Sequence, residues 1–119
     1  MDLFPQTILD QLIANGRANQ ACMEAGENTF DYEPVVKLFT PDGGATWLLT
    51  EIDPDDRDIA FGLCDLGLGY PELGTVRISV LKAHRGRLGL PIERDQHFKA
   101  NAPIGIYAER ALQAGGIIA

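Results

Sequence analysis

The sequence predicts an α+β domain: a single twisted antiparallel sheet of four to five strands in meander order, with N- and C-terminal helices packed on one face. Three observations predict it. Apolar residues recur at helical spacing near both ends of the chain. Between Pro34 and Val80 the period falls to two, with β-branched and aromatic residues in short runs. Turns rich in Gly, Pro and Asp separate those runs, too short for the crossovers that parallel strands need. The 119 residues fit one domain, 1–119.

The first helix is predicted from Pro5 to Asn15. Leu3, Ile8, Leu12 and Ile13 supply the apolar stripe, Pro5 suits the first turn, and Gly16 is the expected left-handed stop. Arg17 to Thr29 is polar, with room for a second short helix around Asn19 to Ala25, ended by Gly26. Val35 to Thr40 and Ala45 to Ile52 read as a hairpin around Pro41-Asp42-Gly43-Gly44, whose glycines are expected to supply positive φ. Trp47 and Leu49 share one face of the second strand; Leu48, Thr50 and Ile52 share the other. After the acidic turn Asp53-Pro54-Asp55-Asp56, a third strand covers Ile59 to Leu66, and a fourth covers Gly74 to Val80. Ser79 is the expected N-cap of a short helix stopped by Gly86. Ile92 to Phe98 is a weak fifth strand, and Pro103 to Ala114 is the last helix, stopped by Gly115-Gly116.

The net charge of −7 is unevenly spread. Met1–Met23 carries −1, Glu24–Glu72 carries −10 and Leu73–Ala119 carries +4. An acidic chain is repelled by phosphate backbones, so direct nucleic-acid binding is disfavoured overall and is left to the basic C-terminal third. The two cysteines, Cys22 and Cys64, fit neither a disulfide framework nor a zinc pattern and are expected as free thiols. No basic stretch leading into an apolar run opens the chain, and no run approaches the roughly 18 apolar residues of a spanning helix. A cytoplasmic location without membrane contact is expected.

Several residue groups could carry chemistry. Glu51, Asp53, Asp55, Asp56 and Asp58 crowd one turn. Glu51, Asp53 and Asp65 are the metal ligands of a metal-dependent nuclease or phosphodiesterase reading, which needs carboxylates converging from separate elements. The turn is not an EF-hand loop, because Arg57 stands at its third ligand position and Asp58 replaces its glycine. Read structurally, the cluster is a solvated turn. Asp65 lies in an apolar strand before a Gly-rich loop, so it is either a loop brace or a perturbed acid beside Tyr70 and Glu72. His84 and Arg85 sit in a basic patch with Lys82 and Arg87, and Arg77 adds to it; the patch could accept a phosphate or an acidic partner. Trp47 is either core or, with Phe39, an anchor on an uncovered sheet face. Gly67-Leu68-Gly69 lacks the third glycine and the helix of a nucleotide fingerprint. The single serine, Ser79, has no nucleophile elbow around it, and Cys64 on an apolar face is expected to hold a raised thiol pKa. No catalytic residue and no cofactor is assigned.

The segments LFTPDGGATWLLTE and FGLCDLGLGYPELG, followed by RGRLGLPIERDQHF, resemble a bacterial family designated domain of unknown function 2958. The resemblance extends over essentially the whole chain. It implies an α+β domain of plasmids and integrated mobile elements, near DNA-handling and anti-restriction genes, and carries no catalytic residues. The split of charge between an acidic middle and a basic end motivates a non-enzymatic protein-interaction role, which the resemblance sharpens into an accessory of mobile-element DNA processing. The expected contact residues are Trp47, Asp65, Tyr70, Glu72, Arg77, His84 and Arg85, and the expected partner is another protein. A metal-dependent nuclease is the alternative.

Overall fold

The computed structural model describes residues 3–119. Helix α1 (Gln6–Glu24) precedes strands β1 (Val36–Phe39), β2 (Thr46–Ile52), β3 (Ile59–Asp65) and β4 (Glu72–Arg77). Helix α2 (Ile78–Ala83), strand β5 (Glu93–Arg94) and helix α3 (Ile104–Ala114) follow. All pairings are antiparallel, in the order β4-β3-β2-β1-β5. The first four strands form the expected meander. The fifth is two residues long and returns to the far edge beside β1.

The terminal helices do not share one face of the sheet, contrary to the arrangement the sequence predicts. Val36, Leu38, Trp47, Leu49 and Ile52 pack with Leu12 of α1 and Leu81 of α2. Leu48 and Leu63 pack with Ile104, Tyr107 and Ala111 of α3. Trp47, Leu48 and Leu49 are consecutive, so neighbouring side chains of β2 point into opposite cores. Each such aliphatic side chain, fully buried, contributes about 1.5–3 kcal/mol. Trp47 is core and no anchor on an open face.

Helix α1 runs straight through Gly16, which is a contact point and no stop. A Cβ there would lie 1.8 Å from the Ile52 carbonyl oxygen, so only glycine lets the helix approach the sheet this closely. Beside it, Asn15 Nδ2 donates to the Thr50 carbonyl at 2.9 Å. The true stop is Gly26, at φ 70°, with the Gly26 and Glu27 amides donating to the Met23 and Cys22 carbonyls.

Gly43 and Gly44 do not take positive φ. The Thr40 hydroxyl closes that turn by accepting from the Ala45 amide at 3.0 Å. The positive φ belongs to Gly67, at 79°, which packs against this turn: a Cβ on it would lie 2.9 Å from the Gly44 carbonyl oxygen. Strand β4 begins at Glu72 and ends at Arg77, three residues short of its predicted end. Ser79 is inside α2 and caps nothing. Asp58 accepts its backbone N–H at 2.8 Å and its hydroxyl at 2.7 Å, while the Asp58 carbonyl accepts from Ile78. The acidic turn thus holds the start of α2.

Candidate functional site

Helix α3 covers only one end of its sheet face. Toward the β2–β3 turn the face stays open, exposing Glu51, Phe61, Leu73 and Thr75. A groove of about 600 Å³ forms there. Its other walls are the C-terminal half of α1, with Asn19 and Met23, and the segment 29–32 that leaves α1.

A β-bulge places Glu51 in this groove. The β2–β3 register shifts between Leu49 and Glu51, so Leu49 faces Gly62 and Glu51 faces Phe61. The extra residue, Thr50, reverses the alternation. Ile52 therefore joins Leu49 in the core, and Glu51 takes the groove side. The unbulged alternation expected from sequence, with Ile52 opposite Leu49, fails at this residue.

Asn19 organises the groove. Its Nδ2 lies 2.9 and 3.1 Å from the two Glu51 carboxylate oxygens, and its Oδ1 accepts from the Phe30 amide at 2.8 Å. One side chain thereby joins α1, β2 and the 29–32 segment. That segment is fixed at its other end by the start of α3. The Ile104 amide donates to the Tyr32 carbonyl at 2.8 Å, and the Gly105 amide to Asp31 Oδ1 at 3.1 Å. The Phe30 and Tyr32 rings pack tilted, centroids 5.5 Å apart.

Burial pushes the Glu51 carboxyl above the ordinary glutamate range, against the lowering effect of hydrogen bonds from Asn19 and Thr50. A raised carboxyl pKa means that folding favours the protonated form. Its stabilising contribution is present below the unfolded pKa and is lost as pH rises through the folded one. Glu51→Gln keeps an oxygen for Asn19 and removes the charge. It should raise the thermal midpoint at pH 7, and the gain should vanish near pH 4. A midpoint at pH 7 equal to or below wild type would show that the charge is not destabilising.

Asp31, Asp53 and Asp55 add carboxylates to the groove lining. Asp53 Oδ1 accepts from the Asp55 amide at 2.8 Å, and Asp55 Oδ2 from Gln20 Nε2 at 2.6 Å. The arrangement suits a cation on an apolar stem. The carboxylates attract the charge, the aromatic faces accept it, and Met23 and Leu73 meet the methylenes.

The residues expected from sequence are dispersed. Glu51 and Asp53 share the groove, but Asp65 pairs with Thr46 at the other end of β2 and β3. The proposed metal ligands therefore do not converge, and among the described residues no group of three or more His, Cys, Asp or Glu side chains is placed to hold a metal ion. Asp65 is the loop brace: Oδ1 accepts from the Gly67 amide at 2.8 Å and Oδ2 from the Ile117 amide at 2.9 Å. Tyr70 is exposed on the following loop, and Glu72 is exposed at the edge strand. Burial, with the Glu72 charge adding to it, pushes the Cys64 thiol up. Arg77 faces Asp56 and Asp58 at 3.5 and 3.6 Å and does not join the basic patch. His84 is exposed after α2, and Arg85 donates to the Lys82 and His84 carbonyls.

Sequence reasoning missed Asn19 as an organiser and Phe30 and Phe61 as walls. Asn19 is 4% exposed and continues the buried stripe of α1 formed by Leu12, Asn15 and Gly16. That i, i+3, i+4, i+7 spacing, carried past Gly16, is the signal that could have found it.

A family model described as "Protein of unknown function (DUF2958)" matches residues 3–118. No curated protein and no solved structure matches the chain.

Proposed function

The chain belongs to the DUF2958 family, whose description names no activity, and we propose that it is a non-enzymatic interaction module whose groove receives a basic segment of a partner protein. The observation that carries this is the half-buried Glu51, set among aromatic walls and three further carboxylates in a groove of about 600 Å³. A Lys or Arg side chain would relieve the cost of holding that carboxylate charged at neutral pH. In a bacterial plasmid or mobile element, the partner would be a DNA-handling protein offering the groove a basic surface ordinarily used on phosphates. A cytoplasmic setting belongs to the same proposal. No helix of the described residues is long and apolar enough to cross a membrane.

The test is fluorescence polarisation with labelled peptides rich in Lys and Arg, against acidic and neutral peptides of equal length. Basic peptides should bind, more weakly as salt rises. The Glu51→Gln/Asp53→Asn double variant should lose at least about tenfold in affinity, some 1.4 kcal/mol. Equal binding of acidic and basic peptides, or affinity untouched by the double variant, would refute the assignment.

A further inference from the structure

On the α1 side of the sheet, away from the groove, a second cavity of about 220 Å³ lies beneath α2 and β5. Three cationic residues from separate elements line it: Lys82 on α2, Arg85 just after it and Arg94 on β5. Arg94 pairs with Leu38, whose side chain is in the α1-side core, so Arg94 stands on that same face. Leu3 and Ile92, both buried, give the cavity an apolar floor. Lys82, Arg85 and the one acidic residue in the lining, Glu93, are exposed at its rim, and Arg94 is half-buried.

Two features set this cluster apart from an ordinary solvated basic surface. Arg94 Nε is buried without a hydrogen-bond partner, and an unsatisfied charged donor is costly. Moreover, among the described residues no ion pair includes Lys82, Arg85 or Arg94; Arg85 Nη1 donates to the Lys82 and His84 carbonyls, which leaves its charge without a counterion. Three cations and one carboxylate leave a formal charge of +2 around a small, apolar-floored space.

We propose that this cavity binds a phosphoryl dianion, as inorganic phosphate or as a terminal phosphate monoester. The charge matches. Guanidinium groups fit tetrahedral oxyanions in geometry and hydrogen-bond count. The size matches too: the volume equals that of about seven waters in the liquid, enough for one phosphoryl group with some hydration, but too little for a duplex backbone. The inference is independent of the groove, which lies on the other side of the sheet end and attracts the opposite charge.

Isothermal titration with inorganic phosphate, at constant ionic strength set by chloride, tests it. Phosphate should bind and raise the thermal midpoint. Arg94→Gln and Lys82→Gln should each weaken binding at least tenfold, and Arg57→Gln, on the acidic turn, should not. If Arg94→Gln fails to fold, Lys82→Gln decides the matter. Absence of phosphate binding at millimolar concentration overturns the proposal, as does binding unchanged in a folded Lys82→Gln variant. A competition arm with a 5′-phosphorylated dinucleotide and its 5′-hydroxyl counterpart identifies the source. Displacement by the phosphorylated form alone supports a terminal ester, and displacement by neither supports the free anion.

Discussion

Gly16→Ala should cost about 3 kcal/mol or abolish folding, because the added methyl meets backbone and no side chain can yield to it. Its Cβ would sit 1.8 Å from the Ile52 carbonyl oxygen and 2.9 Å from its carbon. Relief requires α1 to lift off β2, which disturbs the Leu12 packing and the Asn15 and Asn19 hydrogen bonds together. Alanine is otherwise the better helix former by about 1 kcal/mol, so propensity alone predicts the opposite sign. Thermal unfolding would show a midpoint lower by roughly 10 °C or more. Gly74→Ala is the control, since a Cβ there meets nothing within 4 Å and φ is not positive; its effect should stay within about 0.5 kcal/mol. If Gly16→Ala unfolds at the wild-type midpoint, the close helix–sheet approach is wrong.

Asp65→Ala should cost about 2–3 kcal/mol, since it strips acceptors from two backbone donors, both part-buried. The Ile117 amide is the diagnostic. Ile117 packs against the α3-side core, and Asp65 holds its N–H. Hydrogen exchange at Ile117 should quicken sharply in Asp65→Ala, and less in Asp65→Asn, which keeps one oxygen. Exchange at Ile117 that does not change in the alanine variant would mean that Asp65 braces nothing.

Much of the fold is legible in the sequence, and the reasons are local. The period-two runs locate β1 to β4 within a few residues, because alternating burial imprints directly on side-chain type. Pro103 and Gly115 bracket α3, and Gly115 does take φ 77°. Gly16 was misleading because glycine serves both as a helix stop and as a point of close contact, and the neighbouring residues do not distinguish them. The placement of helices on both faces had a visible sign. Trp47-Leu48-Leu49 is an unbroken apolar run, which a strand covered on both sides carries and a strand covered on one side does not. The bulge at Thr50 leaves no mark in composition, so Ile52 was assigned to the wrong face.

The candidate sites were legible in part. The crowding of Glu51 and Asp53 was plain, and they do share a groove. Their companions Asn19, Phe30 and Tyr32 come from distant positions joined only by tertiary folding. The basic patch was also visible at Lys82 and Arg85. Its third member, Arg94, is nine residues beyond Arg85 and reaches the cavity only because β5 returns beside β1. Spacing along the chain cannot report such a return.

The segment from Thr29 to Tyr32 ties α1, through Asn19, to the start of α3, through Asp31 and Tyr32. Those helices belong to different slabs of a three-layered sandwich, and here a few residues of coil act as the clasp between them. Displacing that clasp must therefore break a hydrogen bond to one slab or to the other.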